Sequence, residues 1–397
     1  MDSDNAATSP VDSDNAATSP VYLDNAATSP VRRAVLEAMW PYLTGEFGNP
    51  SSSHEYGRQA ALGLEGARAR IAAVLGCRPA EIVFTSGGTE ADNLALIGMS
   101  LATPRGRHLV TTAIEHEAVL ESCRHLERVH GFEVTIVPVD ALGRVDPGEV
   151  AAQVRSDTTL VSVMYANNEV GTVQRVAELA AVAHSVGARM HTDAVQAAGW
   201  LPLDGLGVDA LAISGHKLGA AKGIGALYLR SGVRVEALVH GGGQERARRS
   251  GTENVAGAVG LAVALELAEE ARAASASIVA RRRDRFIDRM VADVPGVVVT
   301  GDRESRLPAN ASFCLPGTSG EAVLLDLERR GIICSSGSAC AAGSDEPSHV
   351  LIAMGIPAEL AQTAVRFTLS ESTTDDDLDR AVEAVRDSVV GLRAVRR

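Results

Sequence analysis

Two lysines stand out in this chain because arginine supplies almost all of its other positive charge. Of 37 basic residues, only Lys217 and Lys222 are lysines. A lysine can lose its proton and form an imine with a carbonyl compound, whereas the guanidinium of arginine stays charged. Lys217, which ends the polar run Ser214-Gly215-His216-Lys217, is the candidate for that chemistry. For Lys222 we favour the simpler alternative of a surface charge.

A carboxylate stands where it could share a cleft with Lys217. Asp193 follows a predicted strand that ends at Thr192, and Lys217, 24 residues after Asp193, follows the next predicted strand. If the two strands are parallel neighbours, both side chains open into one cleft, because ligands gather at the carboxyl ends of such strands. Taken alone, Asp193 has the simpler interpretation of a helix cap or an ion-pair partner.

A glycine-rich turn adds a candidate phosphate site. The run Thr85-Ser86-Gly87-Gly88-Thr89-Glu90 joins a predicted strand to a predicted helix, and free N–H groups at a helix start suit a phosphate. The run has neither a Walker A lysine nor the Rossmann glycine pattern, and many such turns only connect two elements. His116, by itself an ordinary surface histidine, could stack on a ring. Together with Lys217 and Asp193, these are the parts that a pyridoxal 5'-phosphate site needs.

Cys340 is the cysteine whose surroundings favour reactivity. It lies between the hydroxyl-rich run 335–339 and the segment 341–347, which has no apolar periodicity. This pattern predicts a mobile loop, and an exposed cysteine on such a loop is a candidate nucleophile. We expect the other cysteines to be buried structural thiols. They are Cys77, Cys123, Cys314 and Cys334.

The composition limits the classes of function. A net charge of −13 argues against direct nucleic-acid binding, which needs a basic face. Five cysteines without CxxC spacing disfavour a disulfide framework and a metal site, and they indicate a reducing cytoplasm. The polar N-terminus does not resemble a signal peptide. The longest apolar stretch, 255–268, is too short to span a membrane and indicates a buried helix.

A tandem repeat with a period of ten occupies the first thirty residues. Asp-Asn-Ala-Ala-Thr-Ser-Pro occurs at 4–10, 14–20 and 24–30. Only the third copy has an apolar lead-in, Val21-Tyr22-Leu23, that predicts a short strand. We therefore expect residues 1–20 to be disordered.

Beyond the repeat, strand and helix patterns alternate along the chain. The predicted strands lie at 82–84, 109–111, 134–137, 160–164, 189–192, 210–214 and 224–229. This order predicts an α/β fold with a largely parallel sheet covered by helices. After about residue 273 the pattern changes and predicts a second, α+β domain that begins with a long helix. Its last helix is expected at 375–390, with Thr373 or Thr374 as the cap.

Seven short motifs follow one another along the chain: Leu23-Asp24-Asn25-Ala26-Ala27-Thr28, Gly48-Asn49-Pro50-Ser51, Thr85-Ser86-Gly87-Gly88-Thr89-Glu90, Asn167-Asn168-Glu169-Val170-Gly171, Ser214-Gly215-His216-Lys217, Arg249-Ser250-Gly251-Thr252 and Ser335-Ser336-Gly337-Ser338-Ala339-Cys340. Together they resemble the cysteine desulfurases, in the class V aminotransferase-like group of fold type I pyridoxal phosphate enzymes. The resemblance covers roughly residues 21 to 385. It implies a seven-stranded, mainly parallel sheet in a large domain at 32–272. It also implies a small domain, built from 21–31 and 273–397, that carries the Cys340 loop.

The resemblance also implies roles for the residues around the cofactor ring. Lys217 would form the imine with pyridoxal phosphate and move the proton of the substrate Cα. Asp193 would partner the pyridine nitrogen, and Gln196 would bond the phenolate oxygen of the ring. His116 would stack on the ring and handle the proton of the substrate thiol.

Further roles concern the phosphate and the substrate. The resemblance implies that Thr252 reaches the phosphate from the other subunit, which makes a homodimer part of the site. It implies that Arg366, Asn168 and Asn25 bind the substrate, with Asn168 also near the cofactor, and a bidentate arginine suits a carboxylate. The alternative for Arg366 is a structural ion pair. The phosphate ligands of the same subunit would be Gly88, Thr89, Ser214 and His216.

The activity implied by the resemblance converts L-cysteine to L-alanine and leaves the sulfur on Cys340 as a persulfide for an acceptor protein. The loop is of the longer type, which resembles the group that serves iron–sulfur cluster assembly or thio-modification of nucleic acids, including DNA phosphorothioation. A selenocysteine lyase or an aminotransferase on the same fold is the alternative, and a transaminase would consume a keto acid and need no loop cysteine. A scaffold protein without activity is a third possibility.

Overall fold

The computed structural model describes residues 19–337 and 346–395. Two predictions fall outside these ranges. One is the disorder of residues 1–20, of which only Ser19 and Pro20 are described. The other is the conformation of the loop around Cys340.

Twelve strands and twelve α-helices are present in the described ranges. The strands are β1 (Val21–Tyr22), β2 (Ile82–Thr85), β3 (His108–Thr112), β4 (Glu133–Val137), β5 (Thr158–Ser162), β6 (Arg189–Asp193), β7 (Ala210–Ser214), β8 (Gly225–Leu229), β9 (Val298–Val299), β10 (Asn310–Cys314), β11 (Ile332–Ile333) and β12 (Ala364–Thr368). The helices are α1 (Arg33–Thr44), α2 (Glu55–Val74), α3 (Gly88–Asn93), α4 (Met99–Ala102), α5 (Glu117–His130), α6 (Pro147–Gln153), α7 (Val176–Ser185), α8 (Val255–Asp293), α9 (Gly320–Arg329), α10 (His349–Ala353), α11 (Ala358–Ala361) and α12 (Asp375–Val395). A π-helical turn, Leu94–Gly98, joins α3 to α4.

Seven strands form one large, mainly parallel sheet, which confirms the predicted α/β fold. Their order across the sheet is β2-β8-β7-β6-β5-β3-β4. Every neighbouring pair is parallel except the two pairs of β8, which runs antiparallel to β2 and β7. All residues of β3, β5 and β7 are buried, as expected for a parallel sheet with helices on both faces.

The neighbours β6 and β7 position the central pair of candidate residues. The two strands are parallel and adjacent. Asp193 is the last residue of β6, and β7 leads directly into the 3₁₀ turn Gly215–Lys217. Both residues therefore lie at the same edge of the sheet, as the sequence predicts.

A smaller second region contains two further sheets. Strand β1 pairs in parallel with β11, and β10 lies between β12 and β9 in an antiparallel sheet. Three phenylalanines form the centre of its separate core, with ring centroids 5.3 to 6.1 Å apart. They are Phe286, Phe313 and Phe367. Residues 21–23 thus pack with the C-terminal part of the chain.

Helix α8 crosses the predicted domain boundary without interruption. It runs for 39 residues from Val255 to Asp293, whereas the prediction separates a buried helix at 255–268 from a second long helix after 273. The predicted domain boundary at 272/273 therefore lies within one helix. The division of the chain into these two domains stays a prediction.

The last helix, α12, is longer than predicted and ends at Val395. Thr374 is its cap: the Thr374 hydroxyl accepts the N–H of Asp377 at 3.1 Å, and the Asp377 carboxylate accepts the N–H of Thr374 at 2.9 Å. This reciprocal pair satisfies two backbone donors at the helix start.

Two negative findings hold for residues 19–337 and 346–395. No helix there has the length and apolar character needed to cross a membrane. No group of three or more His, Cys, Asp or Glu side chains is arranged to hold a metal ion.

Candidate active site

A cavity of about 580 Å³ lies at the carboxyl ends of the central strands. The loops after β2, β3, β5, β6 and β7 contribute to its wall, and so do β12 and the third repeat copy. The structure brings ten of the predicted site residues together here: Gly88, Thr89, His116, Asn168, Asp193, Gln196, Ser214, His216, Lys217 and Arg366.

Lys217 is half-buried at the cavity wall, in the turn after β7. Its ammonium donates hydrogen bonds to the backbone carbonyls of Ala26 and Ala27, the latter at 2.7 Å. Both carbonyls belong to the third repeat copy, so this copy forms part of the site.

Asp193 is a buried carboxylate next to Lys217. Its Oδ1 accepts the N–H of Val195 at 2.8 Å, which fixes the direction of the side chain. Burial raises the pKa of Asp193, and the nearby His116 and Lys217 charges oppose that rise. These charges make the rise smaller than burial alone would produce.

His116 caps helix α5 and lines the same cavity. Its Nδ1 accepts the N–H of Ala118 at 3.0 Å, so the proton of the neutral ring lies on Nε2. A cap of this kind holds the ring in one orientation, which a stacking residue requires.

The glycine turn after β2 leads into α3 as predicted, since α3 begins at Gly88. A Cβ on Gly88 would lie 2.7 Å from Cγ2 of Val195 and 3.4 Å from Cβ of Ser214. Glycine therefore lets the turn pack closely against both residues. The N–H groups of this first helical turn are available to an anion.

His216 lines the same cavity as this turn. Its Nδ1 is 3.2 Å from the Thr28 hydroxyl. Burial lowers the pKa of His216 to about 4, with further contributions from Lys217 and Lys222. The ring is therefore neutral at pH 7 and acts there as a hydrogen-bonding group. Lys222, expected to be a surface charge, is exposed and also lines the cavity.

Arg366 is a buried guanidinium that is only partly satisfied by the protein. Its side chain is 2% exposed. Nη1 donates to the backbone carbonyl of Asn168 at 3.0 Å, and Nη2 donates to Asp24 at 2.9 Å. Nε has no hydrogen-bond partner among the described residues. The predicted alternative, an ion pair, is present, and the unpartnered donor at the cavity also fits a bound carboxylate.

Three predicted residues lie elsewhere. Asn25 lines an adjoining cavity of about 570 Å³ and donates to the carbonyl of Thr368 at 2.8 Å. Ala26, Gln196 and Lys217 line both cavities. Thr252 is exposed just before α8 and does not line the main cavity of its own chain. Cys340 is outside the residues that the structure describes.

Asp92, an acidic residue in the cavity wall, was not predicted from the sequence. Asp92 is buried, and its Oδ1 lies 3.4 Å from Nε2 of buried His191; neither atom has a hydrogen-bond partner among the residues that the structure describes. Burial raises the pKa of Asp92 well above its usual range, and the charges of Asp193 and Glu115 add to this. Asp92 lies four residues after Gly88 on α3, so helical spacing from the glycine turn was a usable signal.

Comparisons with known proteins show the family to which the chain belongs. The family described as aminotransferase class-V matches residues 21–381. The cysteine desulfurase IscS of Dictyoglomus turgidum is 45% identical over 368 residues, which are 92% of this chain and 93% of that protein. The cysteine desulfurase NifS of Azotobacter vinelandii is 45% identical over 364 residues, 91% of this chain and 90% of that protein.

A solved structure of a NifS-like protein superimposes with a TM-score of 0.88 at 38% identity. It covers 94% of this chain and 100% of its own. The match over nearly the whole length includes both the large sheet and the smaller region. The chain belongs to the cysteine desulfurases of the class-V aminotransferase family.

Proposed function

We propose that the protein is a pyridoxal phosphate-dependent cysteine desulfurase that converts L-cysteine to L-alanine and holds the sulfur as a persulfide on Cys340. One observation carries the proposal: Lys217, buried Asp193 and the partly satisfied Arg366 line one cavity of a chain that is 45% identical to cysteine desulfurases.

The residues around the cavity fit pyridoxal phosphate. When bound, the cofactor supplies an aldehyde that bonds to amines and a ring that accepts electrons. Lys217 is the amine that holds it, and Asp193 is the carboxylate for its ring nitrogen. The first turn of α3, with Ser214 and neutral His216, would hold the phosphate. Gln196 and His116 would contact the ring.

Arg366 and Asn168 are proposed to bind the carboxylate of L-cysteine. The Nε donor of Arg366 is buried without a partner in the described part of the chain, and a buried donor of this kind is costly unless a ligand satisfies it. The contact between Arg366 and the backbone of Asn168 links the two residues. Asn25 would assist from the adjoining cavity.

The chain supplies the proton transfers and the nucleophile. Lys217 takes the proton from the substrate Cα, and His116 takes the proton from the substrate thiol. The Cys340 thiolate then forms a bond to the substrate sulfur while the bond between that sulfur and Cβ breaks, with its electron pair going to Cβ. Cβ and Cα gain protons, so L-cysteine and the Cys340 thiol become L-alanine and a Cys340 persulfide.

The protein is proposed to act as a homodimer, with Thr252 reaching the phosphate in the partner subunit. Leu36, Trp40 and Leu43 lie on one face of α1, and together with Phe47 they are 53 to 66% exposed. Such spacing produces an apolar stripe, and a second copy that covers it would explain the exposure. The exposed position of Thr252 supports the same arrangement.

The sulfur acceptor is proposed to be a protein of iron–sulfur cluster assembly or of nucleic-acid thio-modification. The net charge of −13 disfavours a direct contact with nucleic acid and favours a protein acceptor with a basic surface. The four cysteines in the described ranges are free thiols, which supports a location in the reducing cytoplasm.

Replacement of the two lysines tests the proposal with a matched control. Lys217→Arg keeps the charge but forms no imine, so the yellow absorbance band of the purified protein and alanine formation from L-cysteine should both be lost. Lys222→Arg makes the same change at the edge of the same cavity and should keep both. Turnover by the Lys217→Arg protein contradicts the proposal. Alanine formation that requires an added keto acid favours an aminotransferase.

The role of Cys340 has its own test. Cys340→Ser should stop the transfer of sulfur to an acceptor while the absorbance of the bound cofactor persists, because the cofactor residues are untouched. Sulfur transfer at the unaltered rate in this variant removes Cys340 from the mechanism.

A further inference from the structure

Three consecutive residues before α8 have a left-handed backbone. Glu245, Arg246 and Ala247 have φ values of 49°, 58° and 62°, and every other residue with positive φ in the described ranges is a glycine. This conformation is unfavourable for residues with a Cβ, which approaches the next carbonyl oxygen. Strained residues persist where their surroundings fix them, and they cluster at functional positions.

A buried ion pair holds this turn. The Glu245 carboxylate accepts one hydrogen bond from each Nη atom of Arg68, both at 2.8 Å, and one from the N–H of Phe84 at 3.0 Å. The side chains of Arg68 and Glu245 are 3% and 2% exposed. A bidentate pair fixes orientation as well as distance, and loss of either partner leaves a buried charge. The pair therefore specifies the conformation of the turn.

Two hydrogen bonds close the loop that contains this turn. The N–H of Ser250 donates to the carbonyl of Val239 at 3.1 Å. The N–H of Gly251 donates to the Gln244 side chain at 3.0 Å. These bonds close residues 239–251 into a compact loop that contains the left-handed residues.

The loop is tied to the candidate phosphate turn and ends at Thr252. Arg249 donates to Glu90 at 2.8 Å, and Glu90 accepts the N–H of Ser86 at 2.8 Å. Thr252 is exposed directly after the loop. Thr252 thus follows directly a loop that contains the residue paired with Arg68.

We propose that Arg68 and Glu245 are positioning residues for cofactor binding: their ion pair locks the left-handed turn 245–247 and so presents Thr252 to the cofactor phosphate of the partner subunit. This inference rests on the proposed function, in which Thr252 makes that contact. Neither residue lines the cavity, so both act through the backbone of the loop.

Affinity for two forms of the cofactor tests the idea without measuring turnover. In Glu245→Gln apoprotein, we expect the dissociation constant for pyridoxal phosphate to rise about tenfold. We expect no change for pyridoxal, which lacks the phosphate and does not need Thr252. Absorbance titration of the dimeric apoprotein gives both constants. Equal weakening of both ligands indicates general loosening and overturns the inference, as does no weakening.

Ala247 provides a second test that leaves the ion pair intact. This residue is exposed, so its replacement changes mainly the cost of the left-handed conformation. Ala247→Val should weaken pyridoxal phosphate binding but not pyridoxal binding, because a β-branched residue adopts positive φ poorly. Ala247→Gly should restore affinity in the Glu245→Gln background, because glycine accepts positive φ. The control is Ala274→Gly, at an exposed position in α8. It should not change the affinity for either ligand, and it should not rescue Glu245→Gln.

The results separate the inference from the proposed function. No selective loss in Ala247→Val, or no rescue by Ala247→Gly, overturns the inference. If Thr252→Val loses affinity for pyridoxal phosphate and Glu245→Gln does not, the inference fails and the proposed contact stands. If Thr252→Val loses none, the contact across the subunits fails, and the inference fails with it.

Discussion

Replacement of Arg366 by lysine separates its role in substrate binding from its role in an ion pair. The guanidinium donates from Nη1 to Asn168 and from Nη2 to Asp24, and its Nε has no partner in the described part of the chain. A lysine ammonium keeps the charge but cannot span the backbone carbonyl, the carboxylate and a substrate at once. We therefore expect the variant to keep one contact with the protein and to bind the substrate carboxylate more weakly.

The size of this effect follows from the lost hydrogen bond. A hydrogen bond to a charged group contributes about 1.5 to 3 kcal/mol. Its loss corresponds to an increase in KM for L-cysteine of about 10- to 150-fold. The value of kcat should change little, because the contact is made equally in the ground state and the transition state. Steady-state alanine formation at a range of L-cysteine concentrations measures both constants.

Asp24→Asn is the matched comparison, because it breaks the same ion pair and keeps Arg366. Removal of one partner of a buried pair costs about 3 to 5 kcal/mol, and the 18% exposure of Asp24 places the expected loss of unfolding free energy near the lower end. KM should not rise, since Arg366 then has less competition for the substrate carboxylate. An unchanged KM in Arg366→Lys refutes the assignment and leaves Arg366 as a structural ion pair.

Three further predictions concern stability and thiol reactivity. Burial lowers the pKa of His191 to about 3, below the usual value of about 6.5, so its contribution to stability is present above pH 6.5 and is lost as the pH falls toward 3. Between pH 7 and 4.5, the unfolding free energy from urea titrations should fall less in His191→Gln than in the unaltered protein. An equal fall in both proteins contradicts this prediction. Burial raises the pKa of Cys123 to about 12 and that of Cys77 to about 11, so iodoacetamide at pH 8 should label Cys340 first, as peptide mass spectrometry can detect. Faster labelling of Cys77 or Cys123 runs against the proposed nucleophile. Thr374→Ala removes the cap of α12 and should lower the unfolding free energy by about 1 kcal/mol in urea titrations. The affinity for pyridoxal phosphate should not change. A larger loss of unfolding free energy means that Thr374 does more than cap the helix.

Local patterns predicted the strands of the large sheet to within a few residues. Central strands such as β7 are marked by continuous apolar sequence because both of their faces are buried. The order of β6 and β7 placed Asp193 and Lys217 at one edge of the sheet, as found. The glycine turn before α3 also follows from local chemistry, since the residues that form it are adjacent in the chain.

Contacts between distant parts of the chain could not be predicted in this way. Asp24 and Arg366 are 342 positions apart, and no local pattern reports such a pair. The left-handed turn at Glu245 was missed because its residues are not glycines and it depends on Arg68, 177 positions away. The change of pattern near residue 273 lies within one helix. Alanine and serine between 273 and 277 weaken the apolar pattern there, yet helix α8 continues.

The length of α8 limits how the two cores can move. At 1.5 Å per residue, its 39 residues span about 58 Å. The buried residues Val255 to Ala268 pack in the first core, and Val279 to Met290 pack in the second. A rigid-body rotation of one core relative to the other would have to bend α8, which packs in both. Access of substrate and release of product should therefore depend on short loops at the rim, while the scaffold keeps its shape.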